Sequence, residues 1–512
     1  MLFKTIGLLF FISKMFHLNS LNVWEKYMQF ISFGFLILLI IVAGMNYVIP
    51  RKCRYIWLLI VSFAFYVSID ARYTVVLILS ILTTYGAGLL IGKNAERSAG
   101  EETKNSSGNA NSGTATFVFV ACLTLNIALI LGFKLAGFLT GGSILAPIGI
   151  SFYGMKALSY LIDVKRGDIK AEKNLIAYAL YVSFFTQIVS GPIERAGNML
   201  SQFYYPVTVD YYRLQDGFYE MLWGYFLKLV LADRLAIFVN RVYDSSASGG
   251  IAFLATLFYS FEIYCDFCGY SHIAIGAARL LGIDVMKNFD SPYMSGSVSE
   301  FWHRWHISLS SWLRDYVYIP LGGNRKGTAR KFFNILVTFA VSGIWHGMGL
   351  TFMVWGMLHG LYQILGILLK PVRDRVVSAF KIDRESFAHR AVKVIFTFFL
   401  VNTAWIFFRA ESLPKAFDIL MGSMKFTPWI LTDGTIYQYG LNSADIGLLV
   451  LGIILLIIVD AVSYRGISIR EKMIGLKLPL RWAIIIPAIM IILICGIWGS
   501  GYDAASFIYQ QF

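Results

Sequence analysis

Residues 300–362 hold four of the chain's seven histidines, in sequence that is otherwise apolar enough for a lipid bilayer. The four are His303, His306, His346 and His359. Ionisable residues at membrane depth are costly, so each one indicates a functional site. Because histidine is also the side chain best suited to proton transfer near neutral pH, the stretch predicts a base held inside a membrane.

Two kinds of chemistry would use these side chains. As a general base, His346 would take a proton from an acceptor hydroxyl that attacks a thioester, and would return it to the leaving thiolate. This reaction needs a second polar group, for which His306 is the natural candidate. Alternatively, His303, His306 and His346 bind a metal, since His303 and His306 at i, i+3 share a helical face. No carboxylate has an obvious companion spacing, which disfavours the metal site and predicts none.

A third interpretation makes the histidines interfacial residues beside tryptophans in an aromatic belt. Their clustering beside charged residues argues against it. Asp315 could orient His306 or pair with Arg314, and Trp345 could pack against His346. The residues that we expect to line or support the site are His303, Arg304, Trp305, Arg314, Asp315, Trp345 and His359.

The composition identifies a membrane protein, and hence membrane lipid as a partner. Of the 512 residues, 57% are hydrophobic and only 14% are charged, too few to cover a soluble protein of this length. The net charge of +14 could indicate nucleic acid. The basic residues instead cluster in short loops between apolar runs, as cytoplasmic membrane loops do, so we expect no nucleic-acid partner.

The apolar segments predict an all-α fold with about 11–13 transmembrane or re-entrant helices. We read one helix in 250–266 and another in 270–284, and a flexible polar loop in 93–116. The Cys265–Cys268 spacing is that of half a zinc site, but without a second pair we expect two packed small residues.

Basic loops at 370–393 and 464–481 predict a cytoplasmic location for both. The segment 410–445 between them has only Lys415 and Lys425 as basic residues and is expected outside. Counting along the helices, the C-terminal tail 499–512 then lies outside as well, and the segment 314–331 lies inside. His346 would lie roughly 21 Å from the inner face if its helix starts near Phe332, at 1.5 Å per residue.

The run Phe301-Trp302-His303-Arg304-Trp305-His306, with Trp312-Leu313-Arg314-Asp315-Tyr316, closely resembles the signature of the bacterial membrane-bound O-acyltransferase (MBOAT) family. Ile344-Trp345-His346-Gly347 and Ser190-Gly191-Pro192-Ile193-Glu194-Arg195 extend the match. The resemblance is strong over 147–362 and suggests one family domain over 1–512. It looks most like the alginate O-acetylase branch, with the D-alanyl transferase of teichoic acid synthesis as a near relative.

The resemblance implies that His346 is the catalytic histidine and His306 the second polar residue of the site. It also implies a helical shell around a thin central funnel or tunnel in a bacterial cytoplasmic membrane. No bound cofactor is expected. The acyl donor would be a cytoplasmic thioester, either acetyl-CoA or an acylated carrier protein. His272 stands where the family commonly has Asp or Asn, which leaves its role open.

The expected function is transfer of an acyl group, taken as acetyl, across the membrane to hydroxyls of an exported or cell-wall polysaccharide, directly or through an extracytoplasmic acyltransferase partner. One alternative is D-alanyl transfer from a carrier protein to teichoic acid. A proton-coupled transporter is the alternative of another class. The ending Ser506-Phe507-Ile508-Tyr509-Gln510-Gln511-Phe512 resembles endings in this branch, which implies that Tyr509 is an acyl relay; an aromatic anchor is the other interpretation.

Overall fold

The computed structural model describes residues 31–100, 108–245, 247–425 and 427–498. Helices dominate these ranges, and no strand occurs within them. The all-α polytopic class expected from the sequence is therefore confirmed. The tail 499–512, with the expected relay Tyr509, lies outside the described residues.

The helices are numbered in chain order. The first set is α1 Phe33–Val48, α2 Arg51–Asp70, α3 Thr74–Gly100, α4 Gly108–Leu139, α5 Ile150–Arg166, α6 Leu175–Ser183, α7 Ala196–Gln202, α8 Tyr211–Tyr225, α9 Asp233–Tyr243 and α10 Gly250–Leu280. The second set is α11 Val298–Arg304, α12 Ile307–Leu313, α13 Thr328–His346, α14 Leu350–Leu368, α15 Lys370–Ala379, α16 Phe387–Arg409, α17 Leu413–Ser423, α18 Ser443–Tyr464, α19 Ile469–Ile474 and α20 Leu478–Cys495.

Two π-helical segments interrupt this α-helical pattern. Phe226–Ala232 joins α8 to α9, and Arg314–Tyr318 follows α12. Short 3₁₀ turns occur at Pro292–Met294, Pro428–Leu431 and Thr435–Tyr439.

Eight helices within the described ranges are long and apolar enough to cross a membrane. They are α2, α3, α4, α10, α14, α16, α18 and α20. Helix α1 is apolar but shorter. The expected number of 11–13 included short and re-entrant helices, whereas these eight are only the helices long enough to span the membrane.

The expected polar loop at 93–116 is largely helical. Helix α3 continues to Gly100 and α4 begins at Gly108, although their membrane-compatible parts end at Ala95 and begin at Gly113. The helices therefore extend past the apolar segments, because backbone hydrogen bonds can continue into polar sequence such as Ala95-Glu96-Arg97. Residues 101–107 lie outside the described residues.

The two helices expected at 250–266 and 270–284 are one continuous helix, α10. Gly269 does not break it. A Cβ at Gly269 would lie 2.8 Å from the Gly224 carbonyl oxygen of α8, so the glycine allows two backbones to approach closely. Small residues at such crossings are typical of packed membrane helices.

Two contacts join loop-proximal segments that are distant in sequence. Just before α10, the Gly249 N–H donates to the Gly422 carbonyl of α17 at 2.9 Å. Arg470 of α19 pairs with Asp216 of α8 at 2.9 Å. The orientation of the chain in the membrane stays a prediction.

Candidate active site

His346 is the last residue of α13 and is 2% exposed. Three aromatic rings surround its imidazole. The ring centroids of Trp345, Trp355 and Phe408 lie 4.7, 4.9 and 5.1 Å from that of His346, each at a steep angle. An apolar wall from three helices therefore holds the imidazole in place.

Glycines bring α13 and α14 together at this wall. A Cβ at Gly356 would lie 2.3 Å from the Phe339 carbonyl oxygen, and one at Gly343 would lie 2.6 Å from the Phe352 carbonyl oxygen. Neither contact could accommodate a side chain. Because the backbones approach this closely, Trp355 of α14 can reach His346 at the end of α13.

His306 lies at the turn between α11 and α12 and is fully buried. Its φ of +44° is in the left-handed region, which non-glycine residues seldom occupy unless the surroundings impose it. Asn288 imposes it here. The Asn288 carbonyl accepts from the Ile307 N–H at 2.9 Å, and its side chain binds both His306 and Ser308.

The same contacts define which His306 nitrogen faces the site. The backbone N–H of Ser308 can only donate, so the Asn288 atom that it meets at 3.3 Å is the amide oxygen. His306 Nδ1 lies 3.1 Å from that oxygen and must donate to it. In the neutral imidazole, Nε2 therefore carries the lone pair and acts as an acceptor or base.

Trp345 links the two imidazoles. Its ring centroid is 5.8 Å from that of His306 and 4.7 Å from that of His346. The indole N–H donates to the Ser151 carbonyl at 3.4 Å, which ties the residue to the start of α5. The structure thus places His306 and His346 against the same indole ring. Their expected catalytic roles stay predictions.

Lys134 of α4 is a site residue that the sequence analysis missed. It is 7% exposed, and its Nζ donates to the Trp345 carbonyl at 2.6 Å. Because the last carbonyls of a helix lack intrahelical partners, this ammonium group holds the turn that carries His346. The sequence feature that could have identified Lys134 is its position as a lone charged residue in an otherwise apolar segment.

His359 lies one turn after Trp355 on the same face of α14 and is fully buried. Its Nδ1 accepts a hydrogen bond from the Trp302 indole N–H at 3.2 Å. The ring centroid of His359 is 5.2 Å from that of Trp355. His359 therefore belongs to the same aromatic wall as His346.

Trp305 and Arg304 are expected site residues that the structure places in supporting positions. Trp305 is 1% exposed and packs its ring 5.3 Å from Phe301. Arg304 pairs with Asp290 at 2.8 Å and Glu300 at 3.1 Å, away from the imidazoles. Both residues stabilise the α11–α12 region that carries His306.

His303 does not join the site. Its side chain is exposed, and its Nδ1 lies 2.6 Å from the Ser299 carbonyl oxygen. A short helix ends at Arg304, so His303 and His306 do not share a helical face. The metal site considered from their i, i+3 spacing therefore loses its geometric basis. No group of three or more potential ligands occurs within the described residues.

Arg314 and Asp315 also lie apart from the imidazoles. They pair with each other at 2.9 Å, the second of the two roles expected for Asp315. The Asp315 carboxylate also lies 4.0 Å from Arg195, and its carbonyl accepts from Arg166 at 3.0 Å. Arg314 and Asp315 begin the segment 314–331 that is predicted to be cytoplasmic, and they contact the end of α5 at Arg166.

The other residues singled out in the sequence, His272, Cys265 and Cys268, lie in packed or ion-paired surroundings. His272 Nδ1 lies 2.6 Å from Glu220 Oε1, in a network that includes Arg279 and Arg470. Cys265 and Cys268 are buried free thiols on α10, as expected for packed small residues.

A second buried polar region, which the sequence analysis also missed, lies where α10 crosses the π segment. Lys228 is 3% exposed at its side chain and contacts two carboxylates, Asp266 at 2.5 Å and Asp233 at 2.7 Å. The charges of this region are therefore paired within the protein. Lys228 and Asp233 are five residues apart, and their side chains lie on the same side only because the helix is locally π-helical.

Known proteins similar to this chain agree with the motifs. The model of the membrane-bound O-acyltransferase family matches residues 170–410. The probable alginate O-acetylase of Azotobacter vinelandii is 35% identical over 76% of each chain. The peptidoglycan O-acetyltransferase of Helicobacter pylori is 30% identical over 77% of each chain. The teichoic acid D-alanyltransferase of Streptococcus thermophilus is 28% identical over 52% of this chain and 69% of its own.

Proposed function

The chain belongs to the membrane-bound O-acyltransferase family, and we propose that it carries an acetyl group from a cytoplasmic thioester to hydroxyls of an exported or cell-wall polysaccharide. The observation that carries this proposal is the pair of buried imidazoles at one indole, His306 and His346. Base chemistry on a hydroxyl needs such a group in a water-poor site.

In the proposed reaction, His346 removes the proton of the acceptor hydroxyl. The hydroxyl oxygen forms a bond to the thioester carbon, and the carbonyl electron pair moves onto the carbonyl oxygen. When the tetrahedral intermediate collapses, the carbon–sulfur bond breaks and its electron pair leaves with sulfur. The His346 imidazolium then returns the proton to the thiolate, so the enzyme is regenerated.

His306 has a complementary part in this proposal. Because Asn288 fixes its Nδ1 as a donor, Nε2 offers a lone pair. That lone pair can accept a hydrogen bond from a second, neighbouring hydroxyl of the acceptor sugar, which orients the attacking oxygen toward the thioester. Positioning of this kind contributes to rate because the reacting atoms need not search for their geometry.

The relatives favour acetyl as the acyl group. The O-acetylase and O-acetyltransferase relatives are 35% and 30% identical, whereas the D-alanyltransferase relative is 28% identical over a smaller share of the chain. D-Alanyl transfer from a carrier protein to teichoic acid stays the alternative. O-Acyltransferase membership disfavours the proton-coupled transporter considered from the histidines alone.

The route of the acyl group across the membrane is also part of the proposal. Eight apolar helices and the bacterial relatives support a multi-pass protein of the bacterial cytoplasmic membrane. The donor would be acetyl-CoA on the cytoplasmic side. On the outer side, the acceptor is a polysaccharide or an acyltransferase partner, with Tyr509 as the proposed relay. Full product acylation by a Tyr509→Phe protein would exclude the relay.

The test of the function compares His346→Ala with His303→Ala. Both variants remove an imidazole from the same motif region, but only His346 is buried at the site. Mass spectrometry of alkali-released acyl groups from envelope polymers should show acetyl esters in the unaltered and His303→Ala cells and none in His346→Ala cells. Unchanged ester content in His346→Ala cells, at equal protein level, would disprove the catalytic assignment.

A further inference from the structure

The proposed reaction develops a negative charge on the thioester carbonyl oxygen, and neither His306 nor His346 supplies a hydrogen-bond donor for it. Acyl transfer usually needs preorganised N–H or O–H groups at the carbonyl oxygen of the tetrahedral intermediate. Neutral His306 cannot serve through Nε2, since that atom carries a lone pair when Nδ1 donates to Asn288. His346 is engaged with the acceptor proton. Other donors must therefore face the carbonyl oxygen.

Helix α14 carries two buried N–H groups that lack an acceptor. Trp355 Nε1 and His359 Nε2 are buried and have no hydrogen-bond partner within the described part of the chain. Both residues are 0% exposed. A buried donor without an acceptor is destabilising, so two in adjacent turns indicate a place where a ligand supplies the acceptor.

The tautomer of His359 is defined by its neighbour. The Trp302 indole nitrogen can only donate, and it lies 3.2 Å from His359 Nδ1, which therefore accepts. In the neutral ring, the hydrogen must then be on Nε2. His359 thus differs from His306: Nε2 of His359 is a donor, whereas Nε2 of His306 carries the lone pair.

Both donors belong to the wall around His346. The Trp355 ring centroid lies 4.9 Å from that of His346 and 5.2 Å from that of His359. Trp355 and His359 have i, i+4 spacing, so their side chains leave α14 on one face. On α13, one turn before His346, the buried Ser342 hydroxyl also has no partner among the described residues.

From this geometry we infer that Trp355 Nε1–H and His359 Nε2–H form the oxyanion hole of the enzyme, with the thioester carbonyl oxygen as their shared acceptor. The inference rests on the proposed acyl transfer. The two hydrogen bonds strengthen as the carbonyl electron pair moves onto oxygen, and they weaken when the carbon–sulfur bond breaks. Trp302 is a positioning residue, because it acts only by selecting the His359 tautomer.

The first test is Trp355→Phe with Trp405→Phe as its matched control. The two tryptophans are both 0% exposed and stack at 5.8 Å, but the Trp405 indole already donates to the Tyr293 hydroxyl at 3.2 Å. Initial rates of acetyl ester formation in membranes with radiolabelled acetyl-CoA should give a kcat about 100–1,000-fold lower for Trp355→Phe, with KM nearly unchanged. Trp405→Phe should keep kcat within about fivefold of the unaltered protein.

The second test replaces the other donor. His359→Gln retains an N–H at the end of the side chain, whereas His359→Leu retains none, so Gln should preserve at least about tenfold more kcat than Leu. Trp302→Phe should lower kcat by an intermediate factor, because His359 can then adopt the other tautomer. The quantity and thermal midpoint of each variant in membranes should match those of the unaltered protein.

Two outcomes would overturn the inference. One is a Trp355→Phe kcat within threefold of the unaltered value. The other is an equal loss in Trp355→Phe and Trp405→Phe, which would indicate a packing role. Failure of the proposed function is seen separately, as absence of turnover in the unaltered protein or full turnover in His346→Ala.

Discussion

The imidazole site and the Lys228 cluster are both buried polar regions of a protein that is otherwise apolar, yet they are built in opposite ways. Around Lys228, every principal charge has a partner at 2.5–2.7 Å. Around His346, the wall is aromatic, and the N–H groups of Trp355 and His359 have no acceptor in the described ranges. The first region pairs its charges within the protein, whereas the second holds neutral donors that, in the proposed function, a substrate would satisfy.

The comparison shows that buried charges and buried neutral polar groups carry different costs when they lack a partner. Charges in a low-dielectric interior must be paired, and removing one partner leaves an uncompensated charge. A buried neutral donor or acceptor without a partner costs less free energy than a buried unpaired charge, so it can remain without a partner until a substrate binds. Each substitution below should therefore affect mainly folding in the first region and mainly rate in the second.

The largest effect should come from Lys228→Met. This change leaves Asp233 and Asp266 buried without their cation and should cost about 3–5 kcal/mol of stability. Little folded protein should survive detergent extraction and size-exclusion chromatography. The triple variant with Asp233→Asn and Asp266→Asn should recover much of it. If the Lys228→Met protein is as stable as the unaltered one, the Lys228 ion pairs do not stabilise the fold, and the proposed difference between the two regions is wrong.

Asn288→Leu should reduce activity next most strongly. Without the amide oxygen, His306 Nδ1 loses the acceptor that defines its tautomer, and the turn at φ +44° loses its side-chain restraint. We expect kcat to fall about a hundredfold, the lower end for loss of a positioned acid–base group. Asn288→Asp keeps an acceptor and should retain more activity. Equal kinetics of the Leu and Asp variants would argue against tautomer control.

Lys134→Met should lower kcat by about tenfold, or about 1.4 kcal/mol in the barrier. The turn that carries His346 loses the hydrogen bond from Nζ to the Trp345 carbonyl. Lys134→Gln preserves a donor without the charge, so comparing the rates of the two variants separates hydrogen bonding from charge. Kinetics unchanged in both variants would remove Lys134 from the site.

The smallest effect should come from Arg314→Ala. The side chain is 58% exposed and its partner is the adjacent Asp315. Exposed ion pairs contribute about 0–1 kcal/mol, so the thermal midpoint should move little and the rate should stay within about twofold. A large loss of rate would mean that this cluster, expected near the cytoplasmic face, contacts the donor.

Much of the site was predictable from residue type and local pattern. Histidine in apolar sequence identified His306 and His346, and Trp345 was recognised as a packing residue beside them. His303 was not separable from His306 in this way, because the helix break and the left-handed turn between them depend on Asn288. Asn288 itself is a single polar residue with no periodic signal, and Lys134 is remote in sequence from the histidines.

The sequence by itself determined the membrane class, the helical fold and the family, because composition, hydropathy and short motifs are local properties of the chain. Tertiary structure alone decided which nitrogen of each imidazole faces the site and which buried N–H groups have no partner. Those properties depend on hydrogen bonds between distant residues, such as Trp302 with His359 and Asn288 with His306. No local pattern encodes them, since each requires two separate elements to pack at hydrogen-bonding distance.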